Sequence, residues 1–157
     1  DVEYLTEPPD FDGFNAPDRA REVAGSMYES GVDVIYHAAG GSGGGLFEAA
    51  VAARDGGTEV WAIGVDSDQY NTADPAVQDV ILTSMLKQVN VAVYNTIEAA
   101  VNGEDVGGQT TVFDLSVDGV GYSTSGDFLS EDTIAQLEEY KQQIIDGEIT
   151  VPTTPEG

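Results

Sequence analysis

The sequence lacks cysteine altogether, and its 157 residues include only one histidine and five lysine and arginine residues. Without cysteine, disulfide bonds, thiol nucleophiles and thiolate metal sites are excluded. Without a basic surface, the chain cannot release counterions from a polyanion, so we expect no nucleic-acid partner. Long apolar runs are also missing, since stretches such as residues 32–36 are far too short to span a bilayer.

Negative charge, in contrast, is abundant. The 29 aspartate and glutamate residues outweigh the 5 basic ones and give a formal net charge of -24 at pH 7. A small soluble domain typically carries a net charge of magnitude about 2–8. The acidic residues are scattered along the chain, so their repulsion acts over the whole folded surface and is relieved by salt. This pattern favours adaptation to a high-salt habitat, as in a halophile, and an acidic protein from an ordinary habitat is the alternative.

Motifs for catalysis and metal binding are sparse. The only histidine, His37, is expected to be a packing residue at a strand end, and no serine has the G-x-S-x-G surroundings of a nucleophile elbow. The stretch DSDQYN, residues 66–71, lacks the glycine and the distal glutamate of an EF-hand calcium loop. No cluster has the spacing of zinc ligands. We therefore predict no catalytic residues, no metal site and no cofactor.

Apolar residues make up 41% of the chain, and their spacing alternates between strand-like and helix-like segments. Strands are expected at residues 2–5, 32–39 and 59–65, at the end of 77–85, and once or twice within 109–123. Helices are expected at residues 17–31, 45–56, 90–103 and, after an N-cap at Ser130, up to 147, with a polar loop at 66–75. This alternation predicts a three-layer α/β fold with a Rossmann-like, mainly parallel sheet.

Polar stretches fall where three of the predicted strands end, at residues 40–45, 66–69 and 83–87. In open parallel sheets, ligands bind beyond the carboxyl ends of the strands. The sequence therefore predicts a binding site at this edge of the sheet.

The first of these stretches is unusually rich in glycine. YHAAGGSGGGLFEAA, residues 36–50, holds five glycines and one serine. No lysine follows the glycines, so the loop is not a P-loop, and the dinucleotide fingerprint G-x-G-x-x-G fits Gly41 and Gly43 but meets Leu46 at its third position. With Asp66 at the end of the next strand, this partial match is the best case for a nucleotide-dependent enzyme. A tight turn without a ligand and a loop that approaches another small molecule are the alternatives.

Four stretches, taken in order, narrow the choice among these functions: GVDVIYHAAGGSGGGLFEAA, WAIGVDSDQYN, VILTSMLKQVNVAVYNTI and GVGYS. Together they resemble the BMP family (basic membrane protein or purine nucleoside receptor-like) of ABC transporter substrate-binding lipoproteins. The resemblance implies one lobe of a type I periplasmic-binding-protein fold. It assigns the 157 residues to the C-terminal lobe, with a lobe core at about residues 1–88 and a crossover helix, strands and C-terminal helix at 89–157. The N-terminal lobe, with a secretion signal and a lipid anchor, is expected outside these residues.

The function that the resemblance implies is the solute-binding component of an ABC importer. Such a protein holds a nucleoside, here of the purine class, in the cleft between its lobes and delivers it to permease subunits in the membrane. A lipid anchor would keep it at the extracellular face of the cell membrane. Two alternatives stay open at this point: a nucleotide-dependent Rossmann-type enzyme, and a ligand-sensing regulator with the same fold.

The family motifs mark four candidate ligand-binding positions. The Asp66 carboxylate could accept hydrogen bonds from both hydroxyls of a ribose cis-diol, with a loop-capping role as the alternative and Asp68 as the fallback. Lys87 is implied to contact the ligand, for example through a hydrogen bond to the base, and a surface salt bridge is its alternative. An aromatic ring at Tyr36 could stack on the base or pack in the core. Gly41 would let backbone N–H groups approach a neutral nucleoside closely.

Overall fold

The computed structural model describes residues 2–7 and 9–154, which form four strands and five α-helices. The strands are β1 (Val34–Tyr36), β2 (Trp61–Asp66), β3 (Ile81–Lys87) and β4 (Val120–Tyr122). The helices are α1 (Pro17–Glu29), α2 (Gly43–Asp55), α3 (Gln69–Thr72), α4 (Val89–Val101) and α5 (Glu131–Ile145). Short 3-10 turns lie at Asp12–Asn15, Gly40–Ser42, Gln78–Val80 and Leu115–Val117.

The sheet has the strand order β1-β2-β3-β4, in which the first three strands are parallel and β4 is antiparallel to β3. This arrangement confirms the predicted α/β fold with a mainly parallel sheet. Parallel strands end at the same edge, so the carboxyl ends of β1, β2 and β3 lie side by side. That edge is where open α/β sheets bind ligands.

The core lies between the sheet and helices α1 and α2. Helix α1 begins with a proline at its first turn, which suits the fixed φ of proline, and buries Ala20, Ala24 and Tyr28 along one face. Helix α2 adds Leu46 and Phe47, both 2% exposed. The buried Tyr28 hydroxyl donates a hydrogen bond to the Trp61 carbonyl at 2.9 Å, which satisfies its polar end.

Helix α5 lies beside strands β3 and β4. Its start was predicted correctly, because the Ser130 hydroxyl accepts a hydrogen bond from the Thr133 N–H at 3.1 Å and caps the first turn. The apolar side of α5 lines a groove with residues of β3 and β4, among them Met85 and Tyr122. The Tyr122 hydroxyl donates to the Glu138 carboxylate at 2.8 Å and ties β4 to this helix.

Two of the predicted elements were wrong, and a third prediction was narrowed. Residues 2–5 form no strand, because a strand needs a partner and, among the described residues, β1 pairs only with β2. The segment 109–123 gives one strand, β4, since residues 109–114 pair with no other described strand. The loop predicted at 66–75 contains the one-turn helix α3, whose Gln69 is held by tertiary hydrogen bonds.

Helix α4 stands apart from this packing. No residue of α4 is buried. Five of its apolar side chains are 53–80% exposed and share one side of the helix: Val89, Val93, Tyr94, Ile97 and Val101. Among the described residues, no helix is both long and apolar enough to cross a bilayer.

Candidate functional site

The ends of three neighbouring strands carry three of the four predicted ligand-binding residues. Tyr36, Asp66 and Lys87 are the last residues of β1, β2 and β3. The Lys87 Nζ atom lies 2.7 Å from Asp66 Oδ1, and the two side chains are 55% and 56% exposed. Tyr36 is 49% exposed. The predicted edge therefore presents an acid and an amine in contact, with an aromatic ring at the end of the neighbouring strand β1.

The ion pair accounts for the electrostatics of this edge. The hydrogen bond to Asp66, and after it the Asp66 charge, raise the pKa of Lys87 above its usual value. Lys87 is therefore fully charged at neutral pH and offsets one acidic charge of a strongly acidic chain. Because both side chains are half exposed, the pair contributes little to stability. Lys87 does form a salt bridge, as the alternative supposed, but its partner is the other charged residue that the motifs marked.

The backbone at Asp66 has an uncommon conformation. Its φ is 70°, in the region that side-chain-bearing residues rarely adopt. The Ser67 N–H donates to the Val65 carbonyl at 2.8 Å, so Asp66 is the centre of a three-residue γ-turn. Such strain of about 1–3 kcal/mol persists only where surrounding contacts hold it, and it concentrates at functional sites.

Two glycines of the loop make room for the protein's own packing. A Cβ atom at Gly43 would lie 2.1 Å from the His37 ring, and one at Gly45 would lie 1.9 Å from the Pro17 carbonyl oxygen. Glycine is therefore needed where α2 crosses His37 and α1. The absence of a side chain at Gly45 allows α1 and α2 to pack closely.

The start of the loop is tied to residues 12–16. The buried Ser42 hydroxyl donates to the Gly13 carbonyl at 2.6 Å and accepts from the Ala16 N–H at 2.7 Å. A Cβ atom at Gly41 would meet Phe14 O at 3.2 Å and the Asn15 side chain. Gly41 thus follows β1 at the site edge, but its nearest neighbours are residues 14–15. Of the four predicted positions, the structure joins Asp66 and Lys87 directly.

The motif FDGFN, residues 11–15, was not among the four positions predicted from the sequence. Its Phe14 is 48% exposed, and its side chain lies 3.4 Å from where a Cβ of Gly40 would be. Phe11 is 74% exposed, with its ring centroid 6.5 Å from that of Phe14. The structure adds two exposed aromatic rings beside the glycine loop.

His37 is a packing residue, as predicted. It is 6% exposed and its ring packs edge-on against Phe47 at 5.6 Å between centroids. Burial lowers the pKa of His37, against the opposing effects of its hydrogen bond to Gln69 and of the Asp66 charge. The imidazole is therefore neutral at pH 7. Within residues 2–7 and 9–154, no group of His, Asp or Glu side chains could hold a metal ion.

Comparison with known proteins decides the family. The family model described as Bmp, ABC transporter substrate-binding protein PnrA-like, matches residues 7–155. The chain belongs to this family. The sequence-based prediction of the family is thus confirmed, and because Bmp proteins are binding proteins of ABC transporters, membership decides against the nucleotide-dependent enzyme.

Individual Bmp relatives agree with this assignment. The CD4+ T-cell-stimulating antigen of Listeria monocytogenes is 41% identical over 162 residues, which cover 99% of this chain and 44% of the relative. The ABC transporter nucleoside-binding protein BmpA of Lactococcus lactis is 33% identical over 148 residues, covering 89% and 42%. A crystal structure of an ABC transporter solute-binding protein from Aeropyrum pernix superposes with a TM-score of 0.66 at 28% identity, over 89% of this chain and 45% of that chain. The chain spans less than half of the length of these relatives.

Proposed function

We propose that this chain is the C-terminal lobe of a two-lobed solute-binding protein, and that the Asp66–Lys87 edge forms half of a site for a purine nucleoside. The observation that carries the proposal is the ion pair itself, 2.7 Å between Asp66 Oδ1 and Lys87 Nζ at the carboxyl edge of a parallel sheet. The printed name of the Lactococcus lactis relative, a nucleoside-binding protein, supports the same ligand class.

The chemistry of the pair suits a neutral ligand with many polar groups. A carboxylate can accept hydrogen bonds from both hydroxyls of a cis-diol, and these charge-assisted bonds are stronger than neutral ones. The Lys87 ammonium can donate to a carbonyl or ring nitrogen of the base. Because the pair itself is neutral and the chain carries a charge of -24, the site disfavours a phosphorylated ligand.

Aromatic rings at the same edge supply the apolar contact. Tyr36 ends β1 and is 49% exposed, and Phe14 is 48% exposed beside the glycine loop. Stacking of a base on such a ring contributes about 1–3 kcal/mol, by analogy with proteins that bind single-stranded nucleic acids. Gly41 lies in the same loop, where its backbone would face the sugar or base. Tyr36, Gly41, Asp66 and Lys87 therefore remain our candidate ligand-binding residues.

Helix α4 supports the two-lobed arrangement. We take residues 1–88 as the lobe core and 89–157 as the crossover helix, strands and C-terminal helix. Five exposed apolar side chains share one side of α4, and an exposed apolar patch usually marks an interface. Relatives are more than twice as long as the matched region, which covers 44% of the Listeria monocytogenes protein. The other lobe would cover α4 and would close over the ligand by a hinge motion.

Family membership supports the transport role. The closed, ligand-bound form would deliver its nucleoside to permease subunits in the membrane, and a lipid anchor on the other part of the protein would hold it at the extracellular face. A ligand-sensing regulator with the same fold is the alternative. A DNA-binding element elsewhere in the full-length protein would favour that alternative.

Calorimetry on the full-length protein tests this proposal. Adenosine, guanosine and inosine are titrated separately, with nicotinamide dinucleotides as the control ligands. We expect at least one nucleoside to bind with a Kd of about 1 μM or below, equivalent to about -8.2 kcal/mol. The 157 residues alone are expected to bind more weakly, since an isolated lobe cannot close around the ligand. Binding of a dinucleotide in the absence of nucleoside binding would contradict the proposal.

A further inference from the structure

We infer that Gln69 is a positioning residue of the site: its side-chain amide oxygen holds the end of β2 so that Asp66 keeps the γ-turn that aims its carboxylate at the ligand. Gln69 does not touch the Asp66–Lys87 pair in the described contacts. It acts through the backbone of Val65 and through His37. The inference rests on the proposed function, because it assigns Asp66 a ligand to hold.

The Gln69 amide oxygen lies where two donors converge. The Val65 N–H donates to Gln69 Oε1 at 2.7 Å, and His37 Nε2 lies 3.0 Å from the same oxygen. A backbone N–H can only donate, so the amide oxygen and not the amide nitrogen must face Val65. The neighbouring His37 Nε2 must then carry its proton, since it faces an acceptor. The geometry fixes both the amide orientation and the histidine tautomer.

The second ring nitrogen is consistent with this tautomer. His37 Nδ1 is buried and has no hydrogen-bond partner among the described residues. A proton on that atom would be a buried donor without an acceptor, which costs more than an unpaired acceptor does. His37 therefore serves Gln69 as a neutral Nε2–H donor, and the Phe47 ring packed against it fixes the plane of the imidazole.

The backbone of Gln69 is anchored as well. Its N–H donates to the buried Ser84 hydroxyl of β3 at 3.1 Å, and the Ser84 N–H donates to the Ser123 hydroxyl at 3.0 Å. A Cβ atom at Gly64 would lie 2.5 Å from Ser84 Oγ and 2.7 Å from Gln69 Oε1, so only glycine leaves space for this arrangement. Gln69 is thus anchored to β3 through its backbone N–H and bonded to β2 through its side chain.

The hydrogen bond from Val65 to Gln69 lies next to Asp66, the residue with the unfavourable backbone conformation. Val65 immediately precedes Asp66, and its carbonyl accepts the hydrogen bond from Ser67 that closes the γ-turn. With the Val65 N–H fixed by Gln69 and its carbonyl fixed by Ser67, both polar groups of Val65 are occupied. A non-glycine residue at a φ of 70° needs such support, because this conformation is unfavourable when the chain is free to relax.

Three variants of the full-length protein test the inference. Gln69→Leu removes the acceptor and keeps a side chain of similar size. Gln69→Glu keeps an acceptor for Val65 and His37. Gln78→Leu makes the same chemical change at a half-buried position before β3, at the opposite end of that strand from the site. For each variant, the affinity of the nucleoside that binds the wild-type protein is compared with that of its 2′,3′-dideoxy counterpart.

We expect Gln69→Leu to lower the affinity of the nucleoside about tenfold and to leave that of the dideoxy compound nearly unchanged. Gln69→Glu and Gln78→Leu should keep the wild-type preference for the diol. A general loss of structure would weaken both ligands together, and that result would overturn the inference. Unchanged affinities in Gln69→Leu would overturn it too.

A second measurement does not depend on a nucleoside. Amide hydrogen exchange reports on the Val65 and Ser67 N–H groups, and the ¹⁵N shifts of the His37 ring report its tautomer. We expect Gln69→Leu to accelerate exchange at both amides while Gln78→Leu does not, and we expect the wild-type ring to be protonated at Nε2. If no nucleoside binds the wild-type protein, the proposed function fails and these exchange rates still decide whether Gln69 holds the turn. Unchanged exchange or an Nδ1–H tautomer would contradict the positioning role of Gln69.

Discussion

The carboxylate of Asp66 and the ammonium of Lys87 meet at 2.7 Å where two neighbouring parallel strands end. Each group already has a partner of opposite charge, so a ligand must offer acceptable hydrogen bonds to both. A sugar diol and a base edge can do this, because together they bring donors for the carboxylate and acceptors for the ammonium. A phosphate would satisfy Lys87 but would be repelled by Asp66. The pairing therefore favours a neutral, polar ligand.

Two adjacent glycines of α2 should respond to alanine in opposite ways. Gly45→Ala places a methyl group 1.9 Å from the Pro17 carbonyl oxygen, whereas a Cβ at Gly44 meets nothing within 4 Å. We expect Gly45→Ala to lower the free energy of unfolding by about 1–3 kcal/mol or more, because α1 must move away. Gly44→Ala should raise it by up to about 1 kcal/mol, through the higher helix propensity of alanine.

Urea denaturation of the two variants measures this difference directly. Equal destabilisation by both substitutions would show that the whole loop needs glycine for its backbone conformation. That result would contradict the assignment of Gly45 to close packing of α1 against α2.

Much of the fold could be predicted because its signals are local. Pro17 and a regular apolar face predict helix α1, and the Ser130 cap predicts the start of α5. Alternation of strands and helices then implies parallel pairing. The short strand β4 was harder to place, because its antiparallel partner β3 is separated from it by all of α4 and a long loop. Residues 2–5 have a strand-like composition, but within residues 2–7 and 9–154 no strand pairs with them.

Some residues of the candidate site could be proposed from the sequence, and others could not. Asp66 and Lys87 were proposed as ligand contacts from their sequence motifs and their positions at strand ends, and the structure pairs their side chains. Gln69 was missed because its partners are distant in sequence: His37 precedes it by 32 residues and Ser84 follows it by 15. Likewise, no pattern shows that Gly43 makes room for the His37 ring, since that depends on how closely α2 approaches the end of β1.

Salt should stabilise the protein strongly. With a net charge of -24, repulsion between surface carboxylates opposes folding. We expect the free energy of unfolding to rise between about 0.1 M salt, where the Debye length is about 10 Å, and about 1 M, where it is about 3 Å. NaCl and KCl should act alike, because screening depends on ionic strength. Urea denaturation at several salt concentrations checks this, and a flat dependence would contradict it.

Mild acid should destabilise the fold through His37. Burial lowers the pKa of His37 below its usual 6.5, so below that pH the unfolded chain binds a proton that the folded chain does not. The free energy of unfolding therefore falls as the pH drops from about 7.5 through 6.5. Because His37 is the only histidine, the difference between wild type and His37→Gln isolates this effect from the carboxylates. The stability advantage of wild type over His37→Gln should shrink as the pH falls, and an advantage that grows in acid would contradict the sign.

The exposed side of α4 should matter only where another lobe covers it. In the full-length protein, we expect Val93→Ser and Ile97→Ser each to lower the free energy of unfolding by about 1.5–3 kcal/mol, the gain from burying such a side chain. Val112→Ser is the control, since Val112 is 72% exposed and lies outside α4. It should change stability by less than about 0.5 kcal/mol. If all three substitutions have the same small effect, α4 does not pack against a second lobe.

The most direct test of the central claim is a double comparison of Asp66 and the ribose diol in the full-length protein. The affinities of guanosine and 2′,3′-dideoxyguanosine, or of the matching pair for whichever nucleoside binds best, are measured for wild type and Asp66→Asn. We predict that removing the diol weakens wild-type binding tenfold or more, about 1.4 kcal/mol. In Asp66→Asn the preference for the diol should shrink, because the charge-assisted hydrogen bonds are lost and only those of a neutral amide remain. If Asp66→Asn keeps the wild-type preference for the diol, Asp66 does not hold the sugar and the proposed site is wrong.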